Sequence, residues 1–187
     1  MSLKDKIDTF KNSDKFWISL TRDILTVGLA VLVFASFSQI AFGMWTPMVA
    51  VESGSMEPHM NVGDIIFIEN IDRTQVIPNQ PDNGDYLSFE KSGDVILYRP
   101  YGKTDATPII HRAMYYVEKG EPMWTGGPPA PNNGYITKGD NILTNTHFDQ
   151  QGDISYHIPV KEEWIIGIAR YKIPYAGYLR LLLPRFS

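Results

Sequence analysis

The polarity of the chain changes abruptly at residue 24. Residues 1 to 23 mix Lys4, Lys6, Lys11, Lys15 and Arg22 with Asp5, Asp8, Asp14 and Asp23, whereas Ile24 to Val51 carries no charge. Ile24 to Trp45 is 22 residues long. At about 1.5 Å per residue, a helix of that length reaches about 33 Å and matches a hydrocarbon core of about 30 Å. Pro47 disfavours helix at Thr46 and so predicts the end of the span, and Phe16, Trp17 and Trp45 suit the two interfaces. Gln39 is the only strongly polar side chain inside it. A cleaved secretory signal would have a shorter apolar stretch, about 7 to 15 residues, and small residues at the cut, where this chain offers Met48. An uncleaved anchor is the expectation. Basic residues precede the span and none occurs from Thr46 until Arg73, which predicts a cytoplasmic N-terminus and an outer domain. The expected organisation is a leader over 1–23, a transmembrane anchor over 24–45 and an extracytoplasmic domain over 46–187.

Beyond the anchor the pattern changes to short apolar or alternating runs, each opened by a Gly-Asp pair. Gly63 to Ile68, Gly84 to Phe89 and Gly93 to Tyr98 have strand length and are rich in β-branched or aromatic residues. Ile109 to Val117 and Trp164 to Tyr171 read the same way. No segment after Trp45 sustains a 3.6-residue period, so the expected fold is mainly β with one N-terminal helix. The Gly-Asp spacing is irregular, which argues against a repeat array. Ile77 to Gly84 and Lys119 to Gly134 read as Pro/Gly loops. The second carries Met123-Trp124, which either touches lipid or substrate or packs on its own domain. Tyr178 to Leu183 is apolar but far too short to span a bilayer.

Composition narrows the function classes. With 17 Lys+Arg against 21 Asp+Glu, a formal charge of -4 and no cysteine, the chain has no basic footprint for nucleic acid. It also has no thiol nucleophile and no Cys-ligated zinc. No His-Glu-x-x-His spacing occurs, and no metal or organic cofactor is expected.

The segment with chemistry in it is Glu52-Ser53-Gly54-Ser55-Met56-Glu57-Pro58. A glycine between two serines lets the chain turn sharply, expose Ser55 Oγ and set backbone N–H groups beside it for an oxyanion. Ser-Gly-Ser is equally an ordinary turn. A serine nucleophile needs a base, and the chain offers His59, His111, His147 and His157. His59 is separated from Ser55 by three residues, one of them Pro58, so a surface histidine is expected there. His147 and His157 lie in polar, turn-like sequence and are expected to face solvent. His111 sits inside an apolar strand-like run, where a titratable ring needs a partner. A carboxylate must then hold the imidazole, and pattern alone leaves Asp140 and Asp149 both open.

Taken in order, these residues resemble a family. Ser53-Gly54-Ser55-Met56-Glu57-Pro58 beyond an N-terminal anchor is followed by Val62-Gly63-Asp64-Ile65-Ile66 and Gly93-Asp94-Val95-Ile96. Ile110-His111-Arg112 and Thr137-Lys138-Gly139-Asp140-Asn141 complete the series. The order is similar to that of type I signal peptidases, from about Met44 to about Tyr178. Bacterial members carry a lysine base where this chain has His111, so the resemblance is to the archaeal and endoplasmic-reticulum Ser-His branch. A lysine near pKa 10.4 needs a depression of about 3 units to serve as a base near pH 7, whereas a histidine near 6.5 needs almost none.

The resemblance implies Ser55 as nucleophile, His111 as general base and Asp149 as the orienting acid, with Asp140 in a supporting part. A longer Ile142 to Phe148 segment separates the two acids here. It further implies oxyanion donors at the Ser55 N–H and the Ser53 hydroxyl, and pockets for small side chains before the cut in an extended substrate. The implied activity is removal of signal peptides from exported preproteins at the cell membrane. Its partners would be preproteins, the lipid bilayer and the secretion machinery, with no nucleic acid. Two other readings remain: a noncatalytic, membrane-anchored β domain that binds a partner outside, and a self-cleaving repressor-type protease. The latter uses a lysine base and lacks an anchor.

Overall fold

In a computed structural model, residues 15–80 and 84–178 are described. The chain divides into two compact units between Ala41 and Phe42.

The first unit holds one helix, α1 (Phe16–Phe42). It starts before Ile24 and includes Arg22 and Asp23, because nothing in Phe16 to Asp23 breaks helix once the apolar run sustains it. It stops three residues short of Trp45, at Gly43, whose φ of +69° turns the chain out of the helix without a Cβ penalty. Its apolar side chains are exposed on every face, from Ile24 at 62% to Ile40 at 74%. A helix apolar all round suits lipid. Among the described residues it is the one helix long and apolar enough to cross a membrane. The leader over 1–14 and the segment after Tyr178 lie outside the described residues.

The second unit is mainly β, as expected. Its larger sheet has the strands β1 (Met48–Ala50), β2 (Ile65–Asn70), β5 (Val95–Tyr98), β6 (Ile109–Val117), β7 (Gly134–Lys138) and β8 (Ile165–Ile173). They lie in the order β1-β2-β8-β5-β6-β7, antiparallel throughout. Val95 and Leu97 pack with Met56, Met60, Ile66 and Ile68, while Ile96 and Tyr98 pack with Val76, Ala113, Tyr135 and Val160. Both faces of β5 are therefore covered, and Val95 to Tyr98 reads as a continuous apolar run rather than an alternating one.

The expected strand over Gly84 to Phe89 is instead a hairpin of β3 (Leu87–Ser88) and β4 (Lys91–Ser92). Phe89 and Glu90 turn it at positive φ of 52° and 65°. The buried Arg112 guanidinium holds this hairpin: Nη1 donates to the carbonyl of Ser88 at 2.9 Å and to that of Gly93. In the Lys119 to Gly134 loop, Met123 is fully buried with Val117, Ala130 and Ile136, and Trp124 packs on the same cluster. That pair packs on its own domain.

Candidate active site

Ser55 lies in a single 3-10 turn, Gly54–Met56, whose Met56 side chain is buried in the core and fixes the turn to the sheet. The carbonyls of the turn are gripped from the segment after β7. Asn141 donates from Nδ2 to the Gly54 carbonyl at 2.8 Å and from its backbone N–H to the Ser55 carbonyl at 2.9 Å. Asn145 Nδ2 reaches the same Ser55 carbonyl at 3.1 Å. Gly139 is required for this approach, since a Cβ there would sit 2.6 Å from the Ser55 carbonyl oxygen. Ser53 Oγ lies 3.3 Å from Ser55 Oγ, which places the hydroxyl beside the nucleophile candidate.

His111 is on β6 and only 2% exposed. Its Nδ1 lies 2.8 Å from Asp149 Oδ2 and 3.0 Å from Oδ1. An ionised carboxylate only accepts, so Nδ1 carries a proton, and loss of a proton from the imidazolium leaves the lone pair on Nε2. Burial works against the Asp149 charge, but hydrogen bonds from His111, Thr137 and Tyr98 and the charge of the imidazole outweigh it, leaving the carboxyl below its usual range.

Ser53, Ser55 and His111 line one cleft of about 510 Å³, together with Val49, Ala50, Val51, Leu97, Ile110 and Asn145. No hydrogen bond joins Ser55 Oγ to His111 among the described residues. A serine, an imidazole held by a buried carboxylate and small apolar walls in one cleft suit acyl transfer on an extended chain.

Successive side chains of a strand point to opposite faces, so Arg112 takes a different acid from His111. Arg112 Nη2 donates to Asp140 Oδ2 at 2.6 Å and Nε to Oδ1 at 2.9 Å. Lys91 Nζ donates to Asp140 Oδ1 at 3.0 Å, and His59 Nδ1 lies 3.0 Å from Oδ2. Burial raises the Asp140 carboxyl, yet Arg112 and Lys91 together hold it below the usual range. Asp140 thus joins four segments and does not touch His111 among the described residues.

His59 corrects one expectation. It is half-buried against Asp140 rather than a free surface histidine, because the turn beginning at Ser55 folds its chain back over the post-β7 loop. His147 is exposed as expected, while His157 is half-buried and stacked on Tyr156 at 3.9 Å. Tyr98, Thr137, Asn145 and Lys91 were not legible as site residues. A buried Tyr ending a strand and a Thr before the Gly-Asp-Asn motif are the only signals they leave in the sequence. Among the described residues no cluster of His, Asp and Glu is arranged to hold a metal ion.

No protein-family model matches the chain. Individual proteins do. The signal peptidase complex catalytic subunit sec11 of Aspergillus terreus is 31% identical over 170 residues, covering 82% of this chain and 78% of that protein. The subunit of the same name from Sclerotinia sclerotiorum is 32% identical over 164 residues, with 82% and 78% covered. That of Tuber melanosporum is 30% identical over 164 residues, with 82% and 77% covered. Since this likeness covers more than four fifths of the chain, the chain belongs to the type I signal peptidase family, in its endoplasmic-reticulum-type branch.

Proposed function

We propose that the protein is a membrane-anchored serine endopeptidase that removes signal peptides from preproteins, with Ser55 as nucleophile and His111 as general base. The observation that carries this reading is the shared cleft, in which Ser55 and a histidine tied to a buried carboxylate face the same volume. His111 Nε2 takes the Ser55 proton as Oγ attacks the scissile carbonyl, then returns it to the leaving amine. Water activated by the same nitrogen hydrolyses the acyl-enzyme. Asp149 holds the tautomer and balances the imidazolium. The Ser55 N–H and the Ser53 hydroxyl receive the oxyanion. Asp140 ties the nucleophile's turn to β6 and the β3–β4 hairpin.

The apolar cleft walls Ala50, Val51 and Ile110 suit small side chains before the cut, with the substrate extended between the segment leading to Ser53 and β6. Helix α1 is the anchor of a single-pass protein whose N-terminus is cytoplasmic and whose β domain is extracytoplasmic or lumenal, in line with the basic residues ahead of the span. The relatives are named as subunits of a complex, so assembly with other membrane proteins of secretion is proposed for this chain too.

The test uses the purified protein in detergent with a model preprotein, and cleavage sites read by mass spectrometry. Wild type cuts after a small residue beyond the signal's apolar core, while Ser55→Ala and His111→Ala are silent. If the Ser55→Ala protein cuts at the wild-type rate, the reading fails.

A further inference from the structure

The Asp149 carboxylate receives more than the imidazole. Its Oδ2 accepts from Tyr98 Oη at 2.9 Å and from Thr137 Oγ1 at 2.6 Å, in addition to His111 Nδ1 at 2.8 Å. Tyr98, His111 and Thr137 lie on β5, β6 and β7, which are neighbours in the sheet, so three adjacent strands each send one donor to the same carboxylate. None of this is at the surface: Tyr98 and Thr137 are 0% exposed and Asp149 is 4% exposed. Thr137 is itself held by Gln150, whose Nε2 donates to Oγ1 at 3.3 Å while its Oε1 accepts from the Thr137 N–H at 3.1 Å.

A carboxylate bonded only to an imidazole can swing about its own torsions and concentrates its charge on that one partner. Two further donors fix its plane and draw part of that charge away. The Tyr98 phenol stays a donor, since burial and the adjacent Asp149 charge push its ionisation well above the ordinary range.

We propose that Tyr98 and Thr137 are positioning residues of the hydrolytic reaction, acting through Asp149 to hold His111 with Nδ1 protonated and Nε2 aimed into the cleft. The proposal rests on the reading of Ser55 and His111 given above. It adds a sign. Removing either hydroxyl leaves more of the carboxylate's charge to the imidazolium, which then releases its proton less readily. The acid limb of the kcat/KM profile therefore moves to higher pH, and the loosened ring lowers kcat without weakening substrate binding.

The experiment compares Tyr98→Phe, Thr137→Val and Thr137→Ser in the full-length protein, with kcat, KM, the pH profile and thermal melting measured for each. Tyr98→Phe and Thr137→Val each lose about tenfold in kcat, as expected for a hydrogen bond to a charged group, with KM within about twofold of wild type. Both shift the acid limb upward, and Thr137→Ser restores the wild-type profile. An unchanged profile in Tyr98→Phe and Thr137→Val overturns the proposal, as does a Thr137→Ser protein no better than Thr137→Val, because then the methyl and not the hydroxyl matters. Ser55→Ala run alongside separates the two levels. If it is silent while the hydroxyl variants behave as wild type, only the positioning role falls; if it is active, the site reading and the positioning role fall together.

Discussion

Because His111 and Arg112 are adjacent on β6 and point to opposite sides, each engages its own aspartate, and the two acids are separable by mutation. Asp149→Asn keeps a hydrogen-bonding group of the same shape beside His111 but removes the charge that stabilises the imidazolium. A loss on the order of 10⁴ in kcat is expected, with a fall in melting temperature smaller than that of Asp140→Asn. Asp140→Asn instead strands the Arg112 guanidinium, which is 0% exposed, and costs about 3–5 kcal/mol of stability. Parallel melting curves and single-substrate kinetics check both, and an Asp140→Asn protein that melts like wild type would sink the second. Acid tests the same pair. Both carboxyls lie below their usual range in the folded protein, so on acidification the unfolded chain takes up protons first. Their stabilisation is complete above the unfolded value of about pH 4 and is lost as the pH falls through the folded values. Urea titrations from pH 7 downward should show a plateau followed by a fall below about pH 4, shallower in Asp140→Asn. Equal acid slopes in the two proteins would contradict it.

At the scale of elements, the turn that carries Ser55 is held less by its own sequence than by the loop after β7, which grips the carbonyls of Gly54 and Ser55. Gly139→Ala puts a methyl 2.6 Å from both the Ser55 carbonyl oxygen and the Asn145 side chain, and the loop must lift. A displacement of about 1 Å at a reacting group costs about 10² in rate, so kcat should fall by that order while the sheet stays folded. Circular dichroism beside the kinetics checks it, and an unchanged kcat would mean the grip is dispensable. This loop also marks where the sequence stopped being informative. Strands β2 and β5 were legible because their apolar runs open after Gly-Asp pairs, and β6 and β8 because theirs are long and rich in β-branched and aromatic residues. Strand β1 was not, since its three residues continue the uncharged stretch of the anchor. Strand β7 was hidden because it begins at Gly134, which reads as loop but is a close approach: a Cβ there would lie 2.5 Å from the Val160 carbonyl oxygen. Ser55, His111 and both aspartates stood out as candidates by their order along the chain. Pattern alone left Asp140 and Asp149 both open as the partner of His111, because that contact spans 38 residues and carries no local period, and only the family resemblance favoured Asp149.

At the scale of the whole molecule, chemistry and anchoring belong to different parts of the chain. Every side chain placed in the site lies between Val49 and Ile154, and the core beneath it is built from the same unit that begins at Phe42. On the proposed reading the helix acts on substrate encounter: as an anchor it would confine the enzyme to the surface where signal helices end and raise the effective concentration of a membrane-bound preprotein. A short soluble peptide bearing the cleavage sequence gains nothing from that confinement. Deleting residues 1–41 should therefore leave kcat/KM on the peptide within about twofold and lower the rate on a preprotein in vesicles by about 10²-fold or more. The two substrates assayed side by side decide the matter. Equal losses on both would mean that the helix is needed to fold the β domain, and confinement would no longer explain why this hydrolase is anchored.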